Sequence, residues 1–228
     1  MFRNLMSFWK GKDFLTQVLE DFKEMLNDCR LMFESVCNSL IGGEKDPNLK
    51  DKIYEVDKKV NHLEREIRKR IVEHLSIQPS VDVPVSLVLM SVVKDAERIG
   101  DYCKNLFEVT GLLNEPLTKE EFRKLFNGID KKILQEFVKT QKAFIESDGK
   151  MAKDILYSEK EIVKNCDDII KELTKSSLPT NEAVCFALLA RYFKRIAAHL
   201  ANIGTSVILP VSDLDFFDER LKREGDQY

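Results

Sequence analysis

This 228-residue sequence contains few of the residues that interrupt helices, with only 9 glycines and 6 prolines. Loop-rich and all-β chains use more of both, because their turns depend on them. Hydrophobic residues make up 43% of the chain and charged residues 33%. The composition therefore excludes a loop-rich fold and favours a soluble helical one that is long enough to bury a real core.

A surplus of positive charge is also lacking. The 36 lysines and arginines are offset by 39 aspartates and glutamates, which gives a formal net charge of −3. Nucleic-acid binding depends on clustered lysine and arginine that neutralise phosphates. The composition gives no support for such a partner, and we predict none.

Long apolar runs are absent. A transmembrane helix needs about 18–20 apolar residues, and the best candidates, at 85–93 and 183–190, are about half that length. The first ten residues have neither the apolar core nor the small-residue cleavage site of a signal peptide. We predict a cytoplasmic protein with no integral membrane segment, at most peripheral to the inner face of the membrane.

No cysteine pair has the C-x-x-C spacing of a metal or redox motif. The five cysteines are dispersed along apolar helical stripes, which is typical of reduced thiols packed in a core rather than of a disulfide framework. They are Cys29, Cys37, Cys103, Cys166 and Cys185.

The motifs of common enzyme classes are missing as well. The chain has no phosphate-binding G-x-x-x-x-G-K-[ST] loop, no G-x-S-x-G elbow and no H-E-x-x-H pair. The three histidines, His62, His74 and His199, are isolated, and we interpret each as a packing or boundary residue. His62 has a metal-ligand alternative, because it adjoins Asn61. We predict that the protein is not an enzyme.

Apolar residues recur at three- and four-residue spacing, which predicts six long amphipathic helices in two sets of three. Breaks fall at Gly42-Gly43, Gln78-Pro79, Gly111, Asp148-Gly149 and Pro179. The segment Thr118 to Glu121 has the form of a capping box that starts a helix continuing through Ile145. We predict an all-α fold built from two antiparallel three-helix bundles in tandem, a spectrin-like six-helix arrangement.

The predicted domains are a first repeat over residues 1–114, a second over 115–210 and a charged tail over 211–228. Residues 1–12 form an amphipathic segment in which aromatic and basic residues alternate, so contact with a membrane or a transporter competes with packing on the first helix or in a dimer. The tail is read as a short docked helix with a loose end, or as a regulatory element. The apolar residues of the segment are Phe2, Leu5, Met6, Phe8 and Trp9.

One helical segment occurs twice. Arg98, Ile99 and Asn105 in the first copy recur with the same spacing in the second, as Arg195, Ile196 and Asn202. The two carboxylates of the first copy, Glu97 and Asp101, are replaced by Lys194 and Ala198.

The first copy is a candidate metal site. Glu97 and Asp101 are four residues apart and share one helical face, and Asp57, Asn61 and Glu64 share a face of the second helix. If these helices pack side by side, their edges form a rim of oxygen ligands suited to Mg²⁺, Mn²⁺ or Ca²⁺, or with more ligands to iron or zinc. The competing interpretation is a solvated face on which Arg98 and Lys94 neutralise these acids in surface ion pairs.

The motifs resemble those of the PhoU family. Segment 95–101 (DAERIGD), with the following Asn105, is similar to the family signature D-L-E-R-I-G-D with its later Asn. Segment 190–203 (ARYFKRIAAHLANI) is similar to the second copy, A-R-Y-L-E-R-I-A-D-H-x-x-N-I, and Asp57 to Glu64 matches D-x-x-[IV]-N-x-x-E. The resemblance spans nearly the whole chain.

This resemblance implies tandem three-helix bundles that bind metal on their surface through E(D)-x-x-x-D pairs. It also implies a cytoplasmic regulator of phosphate transport and phosphate-starvation signalling, working with a transporter ATP-binding subunit and a sensor histidine kinase. Asp57, Asn61, Glu97 and Asp101 would be ligands, with Glu64 as a further candidate. We also expect a homodimer.

The second repeat departs from the family pattern. Lys194 would repel a cation, Ala198 offers no ligand, and the matching part of the fifth helix has Glu159 followed by Val163 in place of an acidic pair. We predict that the second metal site is lost. Three alternative functions remain: an accessory protein of a sodium-coupled or permease-type phosphate carrier, a metal-dependent phosphohydrolase, and a purely structural bundle.

Overall fold

The computed structural model describes residues 12–42, 46–114 and 117–214. The sequence interpretations of residues 1–11, Gly43 and the tail beyond residue 214 fall outside these ranges. Within them lie seven α-helices and a short 3-10 helix at Val211–Asp213. The α-helices are α1 (Lys12–Gly42), α2 (Leu49–Ile77), α3 (Val83–Thr110), α4 (Lys119–Phe126), α5 (Ile129–Glu146), α6 (Gly149–Leu173) and α7 (Thr180–Thr205).

The helix ends follow local sequence signals. Pro84 lies in the first turn of α3. Backbone N–H groups there have no acceptor within the helix, so the absence of an N–H in proline costs no hydrogen bond. Thr118 and Glu121 form the predicted capping box at the start of α4. Asp148 caps α6 by accepting hydrogen bonds from the backbone N–H groups of Lys150 and Met151 at 2.9 and 3.0 Å. The starts of α3 and α4 confirm the predictions from Pro84 and the capping box, whereas the sequence predicted only a break at Asp148-Gly149 and not that Asp148 caps α6.

The prediction of one long helix after the capping box is wrong. The chain breaks at Asn127 and Gly128, whose φ angles of 44° and 77° are left-handed, and α5 starts afresh at Ile129. Asparagine and glycine tolerate this conformation better than other residues. The three- and four-residue spacing of apolar side chains continues across the break, because Phe126 and Ile129 are both buried. The break therefore cannot be recognised from apolar periodicity.

The helices form two bundles that share one core. Helices α1, α2 and α3 pack against one another, as do α5, α6 and α7, and the two sets meet through α3 with α7 and α1 with α5. A single hydrophobic cluster contains buried residues from all seven helices. The ring of Phe33 on α1, for example, lies 5.8 Å from that of Phe137 and 5.7 Å from that of Phe193. The fold is the predicted helical tandem, and the repeats are not independent units.

A buried polar network joins α3 to α7. Asp95 is 1% exposed, and its Oδ1 lies 2.7 Å from Nδ1 of His199 and 3.2 Å from the amide nitrogen of Asn202. Arg195 places a guanidinium nitrogen 3.3 Å from His199 Nε2. Because arginine can only donate, Nε2 is the acceptor in that contact, and Nδ1 is the ring nitrogen that donates to Asp95. His199 is thus a packing residue between the repeats.

The same helix pair shows the internal symmetry of the duplication. Tyr102 is the first-repeat equivalent of His199, and Tyr192 is the second-repeat equivalent of Asp95. The rings of Tyr102 and Tyr192 lie 6.0 Å apart. The duplication therefore relates a buried hydrogen-bonded pair, Asp95 with His199, to an aromatic pair at the equivalent positions.

All five cysteines are free and buried. Burial raises the pKa of the Cys166 thiol to about 12, with the charge of Asp167 adding to the effect. Burial is likewise the main cause of the raised pKa of Cys29. These thiols are protonated at neutral pH and serve as small apolar side chains.

None of the helices in the described ranges combines the length and the apolar character needed to cross a bilayer.

Gly100 lies where α3 crosses α2, and replacing it tests how tight that crossing is. A Cβ added there would lie 3.5 Å from Val60 Cγ1 and 3.7 Å from Cys29 Sγ, which is ordinary contact. Since alanine favours a helix over glycine by about 0.8–1 kcal/mol, we expect Gly100→Ala to raise the free energy of unfolding by about 0.5–1 kcal/mol in urea titrations.

Gly204→Ala is the matched control for that measurement, because its Cβ would lie only 3.0 Å from Ile155 Cδ1. It should give no gain in stability. A loss of more than about 1 kcal/mol in Gly100→Ala would contradict the contact distances, since an alanine that fits has no such penalty.

Candidate metal centre

The antiparallel packing of α2 on α3 sets the register of the predicted ligands. Val60 faces Gly100 at the crossing. On either side of this contact, α2 presents Asp57, Asn61 and Glu64 along one edge, while α3 presents Glu97 and Asp101 along the facing edge. Asp57 is 8% exposed, and the other four residues are half-buried.

The structure places the four predicted carboxylates close enough for their charges to interact. The pKa of Glu97 is raised, first by burial, then by the negative charges of Asp101 and Glu64, and more weakly by Asp57. A raised pKa in a carboxylic acid means that the ionised form is disfavoured in the folded state, so this contribution weakens stability as the pH rises through that pKa. A cation bound at the rim would relieve the same repulsion.

Two basic residues already partly neutralise the rim. Lys104 Nζ lies 3.1 Å from Asp57 Oδ2 and 3.2 Å from Asp101 Oδ1, and so bridges α2 and α3. Arg98 lies 3.2 Å from the other oxygen of Asp101 and 3.6 Å from Glu97 Oε2. Arg98 and Lys94 were the predicted competing partners, and of these Arg98 pairs with the rim in the part of the chain that the structure describes. Lys104 was not predicted, although its position three residues after Asp101 places it on the same face.

The remaining α2 residues have partners of their own. Glu64 forms an ion pair with Arg68 at 2.9 Å, and the backbone carbonyl of Asn61 accepts a hydrogen bond from Arg65 at 3.0 Å. In the ranges that the structure covers, no three His, Cys, Asp or Glu side chains are already gathered as a metal shell. The oxygen-rich ligand set suits a hard cation in its chemistry, and a metal would have to displace Lys104 and turn the carboxylates inward.

A third helix adds acidic residues that the sequence patterns did not single out. Asp28 on α1 is 9% exposed and lies 2.8 Å from Lys59 Nζ, which also contacts Glu24 at 2.6 Å. The charge of Asp28 contributes to the raised pKa of Cys29, as do the charges of Asp57 and Glu97. Negative potential therefore extends from the rim across to α1.

The second repeat has a different arrangement at the equivalent positions. In the second repeat α6 packs on α7 as α2 packs on α3 in the first. The three positions of α6 that match the α2 candidate ligands hold one carboxylate, one apolar side chain and one buried thiol. These are Glu159, Val163 and Cys166.

Lys194 replaces Glu97 and forms an ion pair with Asp167, its Nζ lying 2.7 and 2.8 Å from the two carboxylate oxygens. Asp167 was not singled out from the sequence, since it lies one position beyond the predicted ligand pattern. Ala198 is half-buried and has no polar group to offer. The loss of the second site stays a prediction, and Lys194 with its carboxylate partner is consistent with it.

Comparison with known proteins identifies the fold as well as the motif. The sequence profile of the PhoU domain matches residues 22–110 and matches again at residues 129–207, so the two matches cover well over half of the chain. The chain belongs to the PhoU domain family. One match falls on each repeat, in agreement with the resemblance seen in the sequence.

Individual PhoU relatives are distant. The chain is 23% identical over 203 residues to the phosphate-specific transport system accessory protein PhoU homolog 1 of Thermotoga maritima, with 85% of each chain covered. The crystal structure of PhoU from Pseudomonas aeruginosa superposes with a TM-score of 0.74 at 22% identity, covering 86% of this chain and 96% of that one.

The phosphate transport system regulatory protein PhoU from Streptococcus pneumoniae gives a TM-score of 0.71 at 20% identity, covering 86% of this chain and 95% of the other. At such identities the two structures establish the PhoU fold. The fold class predicted from helical periodicity is confirmed.

Proposed function

We propose that this PhoU-domain protein is a non-enzymatic regulator of phosphate transport and phosphate-starvation signalling. The observation that carries the proposal is the double match to the PhoU domain, with both matches in register with the two structural repeats. The relative from Thermotoga maritima, which is similar over 85% of both chains, is named an accessory protein of a phosphate-specific transport system. A regulator needs surfaces that bind, which the exposed faces of a long helical bundle provide.

The proposed partners are the ATP-binding subunit of a phosphate transporter, a sensor histidine kinase, or both, at the inner face of the membrane. The protein acts there as a cytoplasmic homodimer. Its functional site is the acidic rim of the first repeat, which binds a divalent or iron-type cation. Mg²⁺, Mn²⁺ and Ca²⁺ suit carboxylate and amide oxygens best, with Fe and Zn as further candidates.

In this proposal each residue of the rim has a defined part. Glu97 and Asp101 supply oxygens from α3, while Asp57, Asn61 and Glu64 supply them from α2. A bound cation would replace the Lys104 ammonium as the bridge between the two helices. Metal loading would therefore change the charge of this face from net negative toward neutral and alter which partner it attracts.

Affinity capture tests the proposed partners. The tagged full-length chain is incubated with membrane extract from its own organism grown with abundant phosphate, and bound proteins are identified by mass spectrometry. Enrichment of the transporter ATP-binding subunit or the sensor kinase is the expected result. Capture of a sodium-coupled or permease-type phosphate carrier instead would favour the alternative accessory role, and capture of no phosphate-related protein would contradict the proposal.

A further inference from the structure

The hairpin between α2 and α3 ends in a tip that presents almost no charge, although 33% of the residues in the chain are charged. Among residues 75–93, which we call the hairpin tip, Asp82 is the one charged residue. Its Oδ2 lies 3.2 Å from Nε2 of His74, and both side chains are nearly buried. The solvent-facing surface of residues 75–93 therefore carries no exposed charged side chain.

Three apolar side chains of the hairpin tip are exposed. Ile77, the last residue of α2, is 79% exposed, Val81 in the connecting loop is 37% exposed, and Leu87 in the second turn of α3 is 47% exposed. All three lie close to the loop, because Ile77 and Val81 are four residues apart and Leu87 is about 6 Å along α3 from its start. An uncharged surface with several exposed apolar side chains is typical of an interaction site.

A second uncharged stretch reaches the same end of the molecule. Residues 200–212 contain no Asp, Glu, Lys or Arg, and α7 runs antiparallel to α3, so the chain leaves α7 beside the start of α3. The 3-10 helix that follows contacts α3, and its Val211 is 37% exposed. The uncharged surface therefore extends from the hairpin tip onto this short helix.

The position of α1 indicates which part of the chain can cover the hairpin tip. The ring of Phe14, two residues after the start of α1, stacks on that of His74 with their centroids 4.2 Å apart, and His74 lies three residues before Ile77. Residues 1–11, which we call segment 1–11, therefore join α1 close to the hairpin tip. A chain of that length extends to at most about 36 Å. Segment 1–11 is long enough to reach each exposed side chain of the tip.

Composition favours segment 1–11 over residues 215–228, which also connect to the chain at this end. Segment 1–11 has two charged residues, Arg3 and Lys10, whereas eight of the fourteen residues in 215–228 are charged. Burying charged side chains against a surface that offers no opposite charge is costly, while apolar side chains gain from the same burial. The large apolar residues that follow Met1 in segment 1–11 are Phe2, Leu5, Met6, Phe8 and Trp9.

We propose that segment 1–11 packs its apolar side chains on the hairpin tip of the same chain. The tether to α1 gives the segment an effective concentration of about millimolar near the tip, so contact within one chain is favoured over contact with a second copy. The contact hides Ile77, Val81 and Leu87 from solvent, and another apolar partner reaches them only after the segment is displaced. It depends neither on the metal centre nor on the proposed phosphate-transport partners.

The one tryptophan of the chain, Trp9, reports on this contact in the full-length protein. Its emission wavelength and its quenching by acrylamide are compared between the parent and Ile77→Asp/Leu87→Asp. We expect blue-shifted, shielded emission in the parent that roughly hundredfold dilution does not change, because the contact is intramolecular. In the variant the ratio of shielded to exposed Trp9 should fall about tenfold, because a carboxylate is costly to bury without a partner.

Three further proteins serve as controls. Val184→Asp makes the same change at a side chain that is 51% exposed near the start of α7, the end far from the hairpin tip, and should leave Trp9 as it is in the parent. Deletion of residues 215–228 should also leave Trp9 unchanged. Ile77→Ser/Leu87→Ser is a milder variant that should expose Trp9 in the same direction, and circular dichroism shows whether its helix content equals that of the parent.

Four results would overturn the proposal. Emission from the parent that is as exposed as that of Ile77→Asp/Leu87→Asp would show that segment 1–11 leaves the hairpin tip uncovered. Shielding that disappears on dilution would assign the tip to a second copy, and shielding that requires phosphatidylglycerol vesicles would assign it to a lipid surface. Loss of the shielding on deletion of residues 215–228 would assign the contact of Trp9 to that stretch.

Discussion

Replacing His199 with alanine is expected to lower the free energy of unfolding by about 3 kcal/mol, because the buried Asp95 carboxylate would lose its main hydrogen-bond donor. The Asp95 carboxylate is 1% exposed, and its Oδ2 already has no hydrogen-bond partner. His199 provides the shortest bond to Oδ1, at 2.7 Å. Without it, only the longer bond from Asn202 would remain to compensate a buried negative charge.

Urea unfolding of the metal-free protein measures this effect, and His62→Ala is its control. His62 is exposed on α2, so its removal should change the free energy of unfolding by no more than about 0.5 kcal/mol. Asp95→Asn keeps the shape of the side chain and removes its charge. Its free energy of unfolding should therefore fall by less than that of His199→Ala. A loss below about 1 kcal/mol in His199→Ala would mean that the pair does not hold the repeats together.

Removing two carboxylates from the rim is expected to weaken metal binding on the order of 100-fold or more, because ligand charge and number set the affinity of oxygen sites. Glu97→Ala/Asp101→Ala takes away both candidate ligands of α3 and leaves α2 intact. Isothermal titration with Mn²⁺ and Ca²⁺ compares this variant with the parent. Unchanged affinity would place the cation elsewhere on the molecule.

The converse variant, Lys104→Met, removes the ammonium that bridges Asp57 and Asp101 while keeping most of its aliphatic stem. A cation no longer has to displace a resident positive charge, so its affinity should rise about tenfold. Because Met preserves the packing of the stem, a fall in affinity would show that Lys104 orients the carboxylates rather than competing for them.

The sequence was sufficient to predict the helices and the repeat, since both depend on local pattern. Proline at the start of α3 and the Thr118 capping box each act within one turn of the chain, so their effects were predicted without tertiary contacts. Asp148 acts as locally, as the cap of α6, but was predicted only as part of a break. The break at Asn127-Gly128 was missed because the apolar period persists across it. The signal was available, as this dipeptide favours left-handed backbone.

The contacts at the site were less predictable than its residues. Glu97 and Asp101 could be placed on one face from spacing alone, but Lys104 reaches Asp57 only because α2 and α3 pack in one register. Likewise, Asp167 becomes the partner of Lys194 through the long reach of a lysine side chain across α6 and α7. The bond from His199 to Asp95 spans 104 positions, and no local pattern encodes it.

We propose that this PhoU-domain chain binds metal through its first repeat alone, and the metal content of matched variants tests this proposal most directly. Purified parent, Glu97→Ala/Asp101→Ala and the second-repeat variant Glu159→Ala/Asp167→Ala are dialysed against Mn²⁺, and metal per chain is counted by mass spectrometry. We predict that the first-repeat variant loses all specifically bound metal and that the second-repeat variant retains the parent content. Equal loss from both variants, or full retention in the first-repeat variant, would contradict metal binding by the first repeat alone.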